Sequence, residues 1–155
     1  MAGYIVPTAD SIEKILEAIY GPGLTVTPND DANLIDRHAA TYVSEDQTLV
    51  AICACDAAFV AYSGAALTMV PADAANDMVN SHDFTDVVLS NFHEVMNICS
   101  RLLMSDDSPH LRLDETLAPA SAAQAISTAE SLANLASFSI EIPQYGNGNI
   151  AFRIA

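Results

Sequence analysis

The stretch FTDVVLSNFHEVMNICSRLL, residues 84–103, decides how the rest of the chain is read. Phe84, Val87, Val88, Phe92, Val95, Cys99, Leu102 and Leu103 recur at intervals of three and four, an apolar face sustained over about five helical turns. The pattern predicts a long amphipathic helix over 84–104, stopped by Ser108-Pro109. On the same wheel Asp86, Ser90, Glu94, Asn97 and Arg101 are spaced four, four, three and four apart, which puts them on one polar ridge.

That ridge holds a near-miss to a zinc-protease motif. His93-Glu94-Val95-Met96-Asn97 lacks the second imidazole, which the motif places where Asn97 stands. Asparagine is a poor zinc ligand and no neighbouring cluster offers replacements, so no metal site is expected and His93 reads as a helix-surface histidine. Glu94 and Asn97 are not strong nucleophiles, and no Ser or His partner stands at triad-like spacing. A carboxamide donates and accepts hydrogen bonds at once, which suits it to orienting a water for in-line attack on a phosphoryl group. A carboxylate beside it suits anchoring a cation. An ordinary polar face on a half-exposed helix accounts for the same spacing.

Outward from this helix, the chain reads as mixed helix and strand. Asp10 with Glu13 has capping-box spacing, followed by Ile12, Ile15, Leu16 and Ile19 on one face, so a first helix is expected over 11–20 with Gly21 ending it. Residues 21–33, with two prolines, read as a loop. His38 to Val43 and Thr48 to Ala61 read as antiparallel strands joined at 44–46, then Tyr62-Ser63-Gly64 as a turn and 66–70 as a short strand. Pro71 opens a short helix over 72–79. Residues 110–117 alternate like a strand. Ser121 with Gln124 opens an Ala-rich helix to about Leu135, and 138–142 with 149–154 form a hairpin turning at Gly146-Asn147-Gly148. Without strict βα alternation, these elements predict a single α+β domain over 1–155 with a largely antiparallel sheet packed against the long helix and shorter ones.

Composition narrows the partners. Five Lys plus Arg stand against twenty Asp plus Glu, a formal charge of −15, so nucleic acid and anionic membrane surfaces are poor partners. With no apolar leader or spanning segment in the sequence, a cytoplasmic location is expected. Cys53, Cys55 and Cys99 lie in apolar stretches and read as reduced core thiols.

The element order and the E-x-x-N spacing within VVLSNFHEVMNICSRLL resemble the CheC/CheX/FliY chemotaxis phosphatases, over most of the chain. One copy of the motif, against two in the CheC and FliY branches, makes the chain more similar to CheX, whose members are small and commonly dimerise. The resemblance implies a CheC/CheX-like fold and a phosphatase of phosphorylated CheY-like response regulators. Asn97 would orient the water that attacks the regulator's aspartyl phosphate, and Glu94 would pair with the regulator's active-site lysine. Mg²⁺ would belong to that partner, and this chain would bring no cofactor of its own. Ser90 and Arg101, on the same ridge, are the candidate partner contacts. Family members commonly carry a small residue four positions after the asparagine. Arg101 there either blocks close approach or binds the phosphate itself. The alternative is therefore a non-catalytic CheX-like binding or adaptor module in two-component signalling, and a third reading is a structural dimer subunit. The Ala-rich segment 121–135 reads as a helix inserted into the family pattern.

Overall fold

The computed structural model describes residues 3–31 and 34–155. Among these residues the fold is α+β, built on a six-stranded sheet in which every neighbouring pair is antiparallel. The elements follow in the order α1 (Ala9–Tyr20), β1 (Thr25–Asn29), β2 (His38–Ser44), β3 (Leu49–Cys55), α2 (Ala57–Leu67), α3 (Ala72–Ser81) and α4 (Asp86–Cys99). A 3₁₀ turn (Ser100–Leu103), β4 (Leu111–Leu117), α5 (Pro119–Ala129), β5 (Asn134–Ile142) and β6 (Gly146–Ile154) complete the chain. Across the sheet the strands run β1-β5-β6-β3-β2-β4.

Alternation along the central strands sorts side chains to two faces. Ala40, Tyr42, Cys53, Cys55, Ile150 and Phe152 meet Ile12 and Leu16 of α1, Phe59 and Val60 of α2, and Phe92, Val95 and Met96 of α4. Ala39, Ile52, Ala54 and Ala151 point the other way, onto Ala122, Ile126 and Ala129 of α5. A sheet covered on both faces needs apolar residues at successive positions, which is why β2 and β3 are buried along nearly their whole length. The three cysteines are buried and free. No helix among the described residues is long and apolar enough to cross a membrane.

The long helix forms as expected, as α4 continued by the 3₁₀ turn, with Thr85 Oγ1 capping Val88 N–H. Elsewhere several sequence expectations are corrected. The strand over 48–61 ends at Cys55, because Asp56 accepts from Phe59 N–H at 2.8 Å and starts α2. The turn at Tyr62-Ser63-Gly64 is therefore the body of a helix, and the strand at 66–70 is its last residues to Leu67 followed by a turn. Gly64 is a packing glycine: a Cβ there would lie 2.8 Å from Val88 Cγ1 and closer still to the Val88 carbonyl oxygen, so its absence lets α2 and α4 cross closely. The loop expected over 21–33 contains β1, an edge strand paired only with β5; Pro28 is tolerated because an edge strand leaves one side unpaired. Residues 32 and 33 of that loop lie outside the described residues.

The α1 cap is Thr8 with Ser11, two residues earlier than the Asp10/Glu13 box. In the Ala-rich segment Pro119 takes the first turn of α5 and the helix stops at Ala129; the expected Ser121/Gln124 box does not form, and Leu135 belongs to β5. The terminal hairpin turns two to three residues earlier than expected, with Tyr145 N–H donating to Ile142 O at 3.1 Å and Gln144 at φ 72°. Gly146 and Gly148 lie in β6, and a Cβ on Gly148 would meet Phe59 Cα at 2.6 Å, so this glycine too serves close packing rather than a turn.

Candidate functional site

The ridge survives folding. Asp86, Ser90, Glu94, Asn97 and Arg101 are all exposed, while Val88, Phe92, Val95, Met96 and Cys99 on the opposite flank are buried. Each large apolar side chain buried there contributes on the order of 1.5–3 kcal/mol, which fixes the rotation of α4 and hence the outward direction of Glu94 and Asn97.

Three further anchors hold the helix. Asn91 Nδ2 donates to Gly64 O and to Thr68 Oγ1, both at 2.9 Å, tying α4 to α2. His93 Nδ1 pairs with Thr116 Oγ1 at 3.1 Å, tying it to β4. On the buried side the Tyr42 hydroxyl donates to Met96 O at 2.7 Å, tying it to β2. Burial among Cys99, Cys53 and Cys55 pushes the Tyr42 phenol well above its usual range, so it stays a neutral donor. His93, the first residue of the near-miss motif, is thus an anchor to the sheet. Among the described residues no group of three or more His, Cys, Asp or Glu is placed to hold a metal ion.

The helix tightens just after Asn97. Ser100 donates to Asn97 O from its backbone N–H and from its hydroxyl at 2.7 Å, and residues 100–103 continue as a 3₁₀ turn. Two consequences follow for the site. Asn97 has a doubly held backbone, which limits the positions its carboxamide explores. Arg101, carried on a turn that advances 120° rather than 100° per residue, is rotated about 40° further from Asn97 than an unbroken α-helix would place it. It remains exposed one turn away from Asn97. Among the described residues the side chains of Glu94, Asn97 and Arg101 make no hydrogen bond or ion pair with other protein groups.

The four candidate site residues on the ridge, Ser90, Glu94, Asn97 and Arg101, are therefore all accessible, with Ser90 a turn before Glu94 and Asn97 a turn after it. The residues that position them, Tyr42, Gly64 and Asn91, are not distinguished in the sequence: each depends on contacts between elements. Chemically, the ridge offers an acceptor with negative charge, a carboxamide and, off to one side, a cation. The Ser90 hydroxyl has no hydrogen-bonded base among the described residues, so the ridge is suited to binding and orienting groups supplied by something docked on it. No protein-family model, curated protein or solved structure matches the chain.

Proposed function

We propose that this protein is a CheX-like phosphatase of phosphorylated CheY-like response regulators, with Glu94 and Asn97 as its working pair. The observation that carries the reading is the placement of a carboxylate and a carboxamide, exposed and uncommitted to protein partners, on a helix anchored to α2, β2 and β4. A pair carried on a helix held this firmly is placed with little reorganisation of the backbone, which is the contribution a receiver domain lacks when it already owns the phosphoryl group, its Mg²⁺ and an electrophilic lysine. Asn97 accepts from and donates to the attacking water; Glu94 pairs with the partner's lysine and sets the register of docking.

The test is phosphate release from a phosphorylated receiver domain. Wild-type protein accelerates it; Asn97→Ala abolishes most of the acceleration, by roughly a hundredfold, while receiver binding persists. Glu94→Gln weakens binding by roughly tenfold. Equal release with and without wild-type protein removes the phosphatase reading. One observation favours a second reading in that event: the exposed Arg101 is free to take a phosphate oxygen. An adaptor working this way binds phosphorylated receiver more tightly than unphosphorylated receiver, and Arg101→Ala erases the difference.

A further inference from the structure

A second constellation lies away from the ridge, at the end of the sheet where β2 begins. The segment entering β2, the first turn of α2 and the end of α3 enclose an open cleft of about 520 Å³, within the range of small-molecule sites. In a chain with five Lys plus Arg and four His, Arg37, His38 and His82 all line this one cleft.

The acceptors around it are largely spent. Asp56 Oδ1 accepts from Phe59 N–H at 2.8 Å and Asn149 N–H at 3.1 Å, and Oδ2 accepts from Asn149 Nδ2 at 2.9 Å. Asp31 takes Arg37 Nη2 at 3.0 Å. The donors are not spent. Arg37 is only 11% exposed in its side chain, and its Nη1 is buried with no hydrogen-bond partner among the described residues. A buried guanidinium nitrogen left this way is unfavourable and calls for an acceptor.

His38 is 6% exposed, and its ring makes edge contacts with Phe84 at 4.9 Å and Phe92 at 6.3 Å but no hydrogen bond among the described residues. Burial, and then the charge of nearby His82, hold its pKa below the usual histidine value, so the ring favours its neutral form with one N–H to give. The N-terminus of α2 reaches the cleft at Ala57 and Ala58, where the Asp56 carboxylate already caps it and adds negative charge to the lining. Ile35, Ala57 and Val79 supply apolar wall. The exposed Asp36 carboxylate opposes negative charge at the rim.

We propose that this cleft binds a small organic anion, its carboxylate or phosphate head accepting from the His38 ring and from the Arg37 guanidinium, turned to bring Nη1 to the cleft, while its apolar body rests on Ile35, Ala57 and Val79. The site is independent of Glu94 and Asn97 and of the function proposed for them.

Phenyl phosphate and benzoate are suitable probes, titrated to about 10 mM into the full chain at neutral pH, with amide and histidine-ring NMR shifts as the readout. Benzyl alcohol serves as the neutral control. Saturable shifts centred on Arg37, His38 and His82 with either anion, and none with the alcohol, support the site; the tighter probe identifies the head group. Arg37→Gln and His38→Gln each weaken binding at least about tenfold, and Asp36→Asn strengthens it severalfold by removing the opposing charge. If His38→Gln does not fold, His82→Ala, at an exposed position, replaces it with a severalfold loss expected. No saturable shift in the cleft with either anion, equal binding of the alcohol, or unchanged affinity in Arg37→Gln overturns the proposal.

Discussion

Gly64 is the residue on which the position of the candidate site turns. It has no side chain where α2 meets α4, its carbonyl accepts from Asn91, and Val88 closes over the space a Cβ would need. Replacing it with alanine sets two effects against each other. Alanine is the better helix former by about 1 kcal/mol, but its methyl would press on the Val88 carbonyl, which is backbone and moves only if the helix moves; overpacking of this kind costs about 1–3 kcal/mol. The clash is against a rigid group, so the upper part of that range applies, and Gly64→Ala is expected to destabilise by about 2 kcal/mol. Thermal unfolding should show a Tm lower by roughly 4–8 °C. An unchanged or raised Tm would mean that α4 shifts freely, and the rigid presentation of Glu94 and Asn97 would lose its basis.

At the scale of elements, α5 starts without a side-chain cap. Its N-cap is Ala118, already extended at φ −69° and ψ 161° and exposed, but without a side chain to accept from the first turn. Ala118→Asp supplies that acceptor and a favourable charge at the positive end of the helix, and should stabilise the protein by about 1 kcal/mol in denaturant titration. The same comparison explains what the sequence discloses about elements. α1 and α4 have one wet and one buried side, so their apolar residues repeat at helical intervals and both helices are legible, as are Glu94 and Asn97, which one helix carries. α2 is buried on most sides, at Phe59, Val60, Ala61, Ser63, Gly64 and Ala65. With no contrast between faces there is no periodicity to read, and its packing glycine mimics a turn. β1 is hidden by the reverse cause, since an edge strand with Pro28 and little burial resembles a loop. The cleft at Arg37, His38 and His82 is assembled from segments far apart in the chain, and no local spacing announces it.

For the whole molecule the governing quantity is the charge of −15. The ion pairs described, Arg37–Asp31 at 3.0 Å and Arg112–Asp114 at 3.6 Å, involve partly exposed groups and contribute at most about 1 kcal/mol each. Repulsion among the remaining carboxylates therefore dominates the long-range electrostatics, and it acts on the compact state more than on the expanded chain. A chain of this length has a radius of gyration of about 15 Å. At about 20 mM salt the screening length is roughly 20 Å, so charges across the molecule still interact; at about 500 mM it is roughly 4 Å and they do not. Sodium chloride should accordingly raise the Tm by about 3–6 °C between these limits, equivalent to about 1–2 kcal/mol. The last turn of α1 is the place to test the cause. It carries Glu17, exposed and at the negative end of the helix dipole, with no basic residue in that turn. Glu17→Lys reverses the dipole interaction, creates a Glu13-to-Lys pair at the favourable i, i+4 orientation and lowers the net negative charge by two. It should stabilise by about 0.5–1 kcal/mol at low salt, with the gain shrinking as salt is added. A Tm that falls with sodium chloride, or a gain from Glu17→Lys that does not depend on salt, would place the balance with attractive pairs or with local packing instead of with the overall charge.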